Sequence, residues 1–199
     1  MRPSLAAFAL ALAPILVNAA EPRPAWAATL DGELRAIADD PAFTLSGIAV
    51  IAVKDGEIAY ALDHGRRRID DANPANDRPV GERTLFRVAS ISKLVTTLGV
   101  LRLVQAGRLD LDRDVSAYLG WRLRNPHFPD DAITLRMLLT HTSALRDDAG
   151  YFWDRTHRLR DVLLPGGALH GDGKAWSPRA KPGAYFQYAN LPWGVVGEA

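Results

Sequence analysis

The chain has 199 residues, 48% of them hydrophobic and 24% charged, which suits a globular protein with one well-packed domain. Its 24 basic and 23 acidic residues are intermixed and give a formal net charge of +1, without the basic stripe typical of proteins that bind nucleic acid or acidic membranes. The absence of cysteine excludes thiol nucleophiles, disulfide bonds and cysteine-ligated zinc.

The N-terminal segment is typical of an export signal. Arg2 precedes an uninterrupted apolar run at residues 5–17, which is shorter than the about 20 residues that a membrane-spanning helix needs. Small residues then form two settings typical of signal cleavage, which end at Ala19 and at Ala27. We therefore predict a signal peptide over residues 1–27, cleaved after Ala19 or Ala27. The mature protein is then periplasmic or secreted, with no stable membrane span.

A helix and a strand hairpin are predicted next. Leu30, Leu34 and Ile37 recur at helical spacing within residues 30–38. Two strand-like runs follow at residues 46–54 and 57–62, separated only by Asp-Gly, which strongly favours a tight hairpin turn. Because the first run is apolar on both faces, we expect it to lie in a sheet that is covered on both sides, with further strands supplied from elsewhere.

The middle of the chain is predicted to be helical. Residues 64–82 are polar and read as a loop, whereas residues 90–106 carry apolar side chains on almost every side. Such a helix is typically buried in the middle of a domain, and Gly107 ends it. Shorter helical or mixed segments follow at residues 109–119, 134–140 and 156–164. This order predicts an α+β fold, an antiparallel sheet with a helical insertion.

The start of the central helix carries the first chemical motif, Ser90-Ile91-Ser92-Lys93. Residues three apart share one face of a helix, so Lys93 can reach the Ser90 hydroxyl. A serine hydroxyl needs a base before it becomes a nucleophile, and a lysine of lowered pKa can serve as that base. The helix N-terminus also offers the Ser90 backbone N–H to a developing oxyanion.

A second motif, Tyr188-Ala189-Asn190, follows about a hundred residues later. A tyrosine and an asparagine two residues apart on a tight turn can point into one cleft. Tyr188 can then relay protons to and from a leaving group, and Asn190 can hold a substrate amide or the lysine. Packing as a core aromatic is the competing interpretation of Tyr188 alone.

In this order the motifs resemble those of the serine β-lactamases, penicillin-binding proteins and related esterases. The resemblance covers residues 46 to 199 and includes the lead-in at residues 84–90, a run at 107–119 and Leu-Leu-Thr-His-Thr-Ser-Ala-Leu at 138–145. Ala144 stands where the family usually has glycine. The segment P-G-x-x-F-x-Y-A-N at 182–190 is the form typical of class C enzymes and their esterase and D-aminopeptidase relatives.

The resemblance implies a β-lactamase/transpeptidase-like fold and an exported serine hydrolase. Ser90 would form an acyl-enzyme, Lys93 and Tyr188 would share acid–base work, and Asn190 would orient groups. The order in which Lys93 and Tyr188 take the proton stays open. The partner is a small-molecule or peptide substrate: a β-lactam, a D-amino-acid cell-wall peptide or a small ester. His141 is expected to make a structural hydrogen bond at a helix end.

The third motif of the family, K-T-G or H-x-G on a sheet strand, does not follow Tyr188. We therefore expect residues 28–199 to form the N-terminal part of such a domain, without its C-terminal strands and with little activity as given. A non-catalytic module that binds peptidoglycan or β-lactams is the alternative. The histidines have no zinc-site spacing and the Asp110-x-Asp112-x-Asp114 run lacks the later calcium ligands, so no metal or other cofactor is predicted.

Overall fold

The computed structural model describes residues 24–199, which form two compact units that meet in the sequence between Phe86 and Arg87. The apolar run of the predicted signal peptide and its cleavage position after Ala19 lie outside these residues. The other cleavage position, after Ala27, lies in the first turn of helix α1 (Ala25–Asp39). None of the helices between residues 24 and 199 combines the length and hydropathy that a membrane crossing requires.

The first unit is built on a hairpin of strands β1 (Gly47–Lys54) and β2 (Glu57–Arg68), which pair antiparallel. Asp55 and Gly56 connect them with φ angles of 55° and 82°. A two-residue turn with positive φ at both positions matches the right-handed twist of the flanking strands, and Asp and Gly tolerate this backbone. The structure therefore confirms the predicted hairpin and its turn.

Strand β2 continues to Arg68, so the loop predicted for residues 64–82 is wrong over its first residues. Strand β3 (Arg78–Pro79) pairs with β2 and completes a three-stranded sheet in the order β1-β2-β3. Gly65 has a φ of 83°, and a Cβ there would lie 2.5 Å from the Ser46 carbonyl oxygen. The polar composition of residues 63–68 did not indicate a strand, because most side chains in this part of β2 are exposed and can therefore be polar.

Helix α1 packs on the hairpin through a small apolar cluster. Ala27, Tyr60 and Leu62 form its buried centre, and the Tyr60 hydroxyl donates to Asp31 at 2.7 Å. Other parts of the hairpin are uncovered: Ile51 is 66% exposed. The prediction that the first strand is covered on both faces is therefore wrong for the described residues. Apolar side chains of β1 are exposed there.

The second unit, residues 87–199, has five helices among the described elements: α2 (Ile91–Gln105), α3 (Ser116–Leu119), α4 (Leu135–Leu139), α5 (Leu159–Leu163) and α6 (Leu191–Glu198). Their inward apolar side chains and those of the connecting segments form one core. Its largest fully buried members are Trp176, Leu123, Ile133, Leu135, Leu138, Leu145, Leu163 and Leu191. The antiparallel sheet and this helical unit confirm the predicted α+β class.

Helix α2 differs from the sequence-based prediction in its environment. It occupies almost the predicted range, but Val100 is its only buried residue, while Leu94 and Val95 are 61% and 65% exposed. The prediction of a buried helix is therefore wrong for the described residues. An apolar helix surface favours burial, but it becomes buried only where another surface packs against it. Among the described residues, nothing covers Leu94 and Val95.

The left-handed backbone at Ala144 fits the glycine that the family resemblance leads us to expect at this position. Ala144 has a φ of 63°, is 2% exposed, and its carbonyl accepts a hydrogen bond from the Ser177 N–H at 2.9 Å. An L-residue pays about 1–2 kcal/mol for this conformation, which glycine avoids. The alanine methyl offsets part of this cost, since burying it contributes about 0.8 kcal/mol.

We expect Ala144→Val to lower the free energy of unfolding by about 2–4 kcal/mol, because a β-branched side chain suits neither the positive φ nor the filled space. Ala144→Gly should stay within about 1 kcal/mol of the wild type, since relief of strain opposes loss of the methyl. Urea denaturation measures both. Equal losses for valine and glycine would contradict a left-handed position.

Candidate active site

Ser90 lies on a turn immediately before α2. The preceding residue, Ala89, has a φ of 42°, and the Ser92 N–H donates to the Ala89 carbonyl at 3.1 Å. Ser90 itself already has helical angles and makes no side-chain cap hydrogen bond, so its hydroxyl is directed away from the helix backbone. The turn therefore presents an exposed Ser90 Oγ at the helix start, as the S-x-x-K motif predicts.

Lys93 lies one helical turn beyond Ser90 and is partly buried. Its Nζ donates to Ser90 Oγ at 3.0 Å, to the Tyr188 hydroxyl at 3.0 Å and to Asn190 Oδ1 at 2.8 Å. A protonated lysine has three N–H donors and no acceptor, so these three oxygens match the ammonium form fully. Lys93 is thus the centre of the cluster.

Tyr188 contacts both Ser90 and Lys93 and comes from near the C-terminal end of the sequence. Its hydroxyl lies 2.6 Å from Ser90 Oγ, although 98 residues separate the two in the sequence. The hydrogen bond from Lys93 is the main cause that lowers the pKa of Tyr188 below its ordinary value of 10.0, and the contact with Ser90 adds to it. The competing interpretation of Tyr188 as a core aromatic is wrong, because the side chain is 45% exposed.

The segment that carries Tyr188 is held by backbone hydrogen bonds to the residues after α4. The Gly183 N–H donates to the Thr142 carbonyl at 2.7 Å, and the Gln187 N–H donates to the His141 carbonyl at 2.8 Å. Ala189 is fully buried between the two site residues. Its burial fixes the turn that directs Tyr188 and Asn190 toward Lys93.

His141 supports this segment. Its ring stacks on Tyr188 with centroids 4.6 Å apart, and its Nδ1 accepts a hydrogen bond from the Ala189 N–H at 3.4 Å. Its own N–H donates to the Leu138 carbonyl at the end of α4, as expected for a residue that ends a helix. Burial, and secondarily the charge of Lys93, lower the pKa of His141 below its ordinary value of 6.5.

This shift predicts a stability that depends on pH. The unfolded chain protonates His141 at a higher pH than the folded chain does, so the stabilising contribution is complete above about pH 6.5 and falls as the pH drops through and below that value. When the pH is lowered from about 7.5 to about 5, the melting temperature of His141→Gln should fall less than that of the wild type. The exposed His127→Gln serves as control, and identical pH slopes for all three proteins would contradict the assignment.

Asn190 is oriented by Asp147, which belongs to neither of the two sequence motifs and was not predicted as a site residue. The Asp147 carboxylate accepts from the Asn190 N–H and Nδ2 at 2.8 Å and from the Leu191 N–H at 2.9 Å. The available signal was Asp147-Asp148, one residue after the matched segment at residues 138–145. It was insufficient because 43 residues separate Asp147 from Asn190.

The acidic run considered for calcium has other roles. Asp112 forms a two-point ion pair with Arg136, and Asp114 forms one with Arg124. Within residues 24–199, no group of three or more histidine, aspartate or glutamate side chains has the geometry of a metal site.

A serine at a helix start, a lysine one helical turn away and a tyrosine in contact with both match the site type of the S-x-x-K serine hydrolases. Comparison with known proteins agrees: residues 34–199 match the Beta-lactamase family, and the chain belongs to it. It is 29% identical over 156 residues to "Protein flp" of Staphylococcus aureus strain N315. It is 40% identical over 116 residues to "Esterase EstB" of Burkholderia gladioli, which covers 56% of this chain.

Solved structures show the same fold. The structure of "EstCE1, a hydrolase with promiscuous acyltransferase activity" aligns over 86% of this chain with a TM-score of 0.62 and 26% identity. That of D-amino acid amidase from Ochrobactrum anthropi SV3 aligns over 83% with a TM-score of 0.57 and 21% identity. These comparisons confirm the predicted β-lactamase/transpeptidase-like fold.

The chain spans only part of these proteins. It covers 45% of the EstCE1 chain, 29% of "Protein flp" and 28% of "Esterase EstB". This agrees with the prediction that the C-terminal sheet strands of the fold are not contained in these 199 residues.

Proposed function

We propose that the protein is a serine hydrolase in which Ser90 attacks the carbonyl carbon of an ester or amide and becomes acylated. The observation that carries the proposal is the placement of Ser90 Oγ 2.6 Å from the Tyr188 hydroxyl and 3.0 Å from Lys93 Nζ. A serine needs an adjacent base to react, and two groups capable of that role are within hydrogen-bond distance.

Tyr188 is the base in this proposal. The hydrogen bond that Lys93 Nζ donates to the Tyr188 hydroxyl lowers the pKa of Tyr188 and stabilises its phenolate form. The Ser90 proton moves to the phenolate oxygen as the bond from Oγ to the carbonyl carbon forms. When the tetrahedral intermediate collapses, the same proton passes from Tyr188 to the leaving oxygen or nitrogen, and that bond breaks.

Hydrolysis of the acyl-enzyme repeats these steps with water. Tyr188 takes a proton from the water, the water oxygen attacks the acyl carbonyl, and the Ser90 oxygen leaves with the proton that Tyr188 returns. The backbone N–H of Ser90, at the start of α2, supplies one donor toward the oxyanion.

Carboxylic esters are the substrate class that we propose first. The support is the local identity of 40% to "Esterase EstB" over 116 residues, together with the similarity to EstCE1, which is described as a hydrolase with acyltransferase activity. β-Lactams and D-amino-acid peptides use the same acylation step and differ in the groups around the carbonyl. They are therefore compared with esters in the test below.

The test is acylation of the full product of the gene by p-nitrophenyl esters of short acyl chains, quenched in acid and read by intact mass and peptide mapping. We expect one acyl group on Ser90 and a burst of nitrophenol. A labelled penicillin and a D-alanyl peptide amide are tested in parallel, and faster acylation by either would replace the ester assignment. A folded protein that binds these compounds without any Ser90 adduct would favour the non-catalytic binding module.

We also propose that the protein is exported, with its activity in the periplasm or outside the cell. The support is the apolar run at residues 5–17 after Arg2, followed by small residues at the two cleavage settings. Expression with a C-terminal tag in a Gram-negative host, followed by N-terminal mapping of the periplasmic product, tests this. We expect a start at Ala20 or Ala28, and a cytoplasmic product that retains residues 1–27 would contradict export.

A further inference from the structure

We infer that Asp147 is a positioning residue, which orients the Asn190 amide so that its oxygen faces Lys93. The inference rests on the proposed function, because it assigns Asp147 an effect on Ser90 acylation through Asn190 and Lys93. Asp147 makes no hydrogen bond to Ser90 or Tyr188 among the contacts of the described residues and is not itself a reacting group.

The orientation follows from the chemistry of the two ends of an amide. Asn190 Nδ2 donates to Asp147 Oδ2 at 2.8 Å, and Asn190 Oδ1 accepts from Lys93 Nζ at 2.8 Å. A rotated amide would place its oxygen against the carboxylate and its NH₂ group against the ammonium. A carboxylate only accepts and an ammonium only donates, so both contacts would become repulsive. Asp147 and Lys93 together permit one orientation.

The backbone contacts of Asp147 make this arrangement possible. Asn190 occupies the N-cap position of α6, yet its side chain makes no cap hydrogen bond. Asp147 accepts from the N–H groups of Asn190 and Leu191 instead, and its negative charge suits the positive end of the helix. The Asn190 side chain is thereby released from capping and is available to Lys93.

Asp147 affects the site through the hydrogen bond that Lys93 Nζ donates to Asn190 Oδ1. With Asn190 Oδ1 held in place, Lys93 keeps its other two donors on Ser90 and Tyr188. Without Asp147, the amide can rotate and Lys93 loses a fixed acceptor. Displacement of a catalytic group by about 1 Å can cost about 10²-fold in rate, so the effect on acylation should be large for a residue that touches no reacting atom.

The experiment is a double-mutant cycle on the rate of Ser90 acylation by a p-nitrophenyl ester, using the full product of the gene. Asp147→Ala and Asn190→Ala should each lower the rate by about 10²-fold, and the double variant should be within about threefold of Asn190→Ala alone. Asp148→Asn, at a half-exposed neighbour paired with Arg146, is the matched control and should acylate at the wild-type rate.

A second variant separates positioning from folding, because Asp147 also caps α6. Asp147→Asn keeps the size and one acceptor but admits both amide orientations, so it should melt near the wild type and still acylate at least about tenfold more slowly. Additive losses in the cycle, or an Asp147→Asn variant with the wild-type rate, would overturn the inference. Absence of Ser90 acylation in a folded wild type would instead overturn the proposed function, and the inference with it.

Discussion

Ser90→Ala is expected to lower the rate of ester hydrolysis by about 10⁴-fold or more and to abolish covalent labelling. The variant removes the atom that forms the acyl bond, and no other described hydroxyl contacts both Lys93 and Tyr188. Intact mass after incubation with a p-nitrophenyl ester or a fluorophosphonate measures the labelling, and released nitrophenol measures turnover.

Ser92→Ala is the matched control, since Ser92 lies on the same helix and its side chain makes no contact with the cluster among the hydrogen bonds of the described residues. It should label at the wild-type rate. If Ser90→Ala labelled as fast as the wild type, the nucleophile would be another residue and the mechanism proposed above would be wrong. The melting temperature of Ser90→Ala should change little, because Ser90 is exposed and makes no cap hydrogen bond.

Tyr188→Phe is expected to lower the acylation rate by about 10²–10⁴-fold, the usual contribution of a positioned acid–base group. Phenylalanine keeps the ring that stacks on His141 at 4.6 Å and removes only the hydroxyl that contacts Ser90 and Lys93. The loss should therefore appear in the acylation rate, whereas the melting temperature should remain close to that of the wild type.

The pH dependence gives a second readout of the same group. Because the phenolate is the active form in this mechanism, the acylation rate should rise with pH as Tyr188 loses its proton. Lys93 and Ser90 hold the pKa of Tyr188 below its ordinary value of 10.0, so this rising limb of the pH–rate profile should lie below pH 10. Lys93→Met removes the larger of these causes and should move the limb to higher pH. Tyr185→Phe is the control, since the Tyr185 hydroxyl contacts Ser177 at 3.5 Å.

A rising limb in Tyr188→Phe at the same position as in the wild type would show that another group takes the Ser90 proton. Lys93 would then be the first candidate, since its Nζ lies 3.0 Å from Ser90 Oγ. In that case Lys93→Met would remove the limb instead of moving it. The two variants together therefore separate the two possible bases that the motifs alone leave open.

Much of the site could be predicted from the sequence because two short motifs carry it. Ser90 and Lys93 lie three residues apart on one helix, so their contact is a local consequence of helix geometry. Tyr188 and Asn190 lie far away in the sequence. Their two-residue spacing predicted that they share a cleft, and the resemblance to a family whose motifs have this order joined them with Ser90 and Lys93. Asp147 belongs to neither motif, and its contact with Asn190 exists only after the chain has folded.

Three local features follow from short stretches of sequence: the hairpin turn at Asp55-Gly56, the range of α2 and the contact of Ser90 with Lys93. Each depends on backbone preferences or on helix spacing within a few residues. The surroundings of these elements depend instead on long-range packing. The exposed faces of α2 and β1, the capping of α6 by Asp147 and the stacking of His141 on Tyr188 depend on which distant surfaces meet, and the local pattern of a chain does not contain that information.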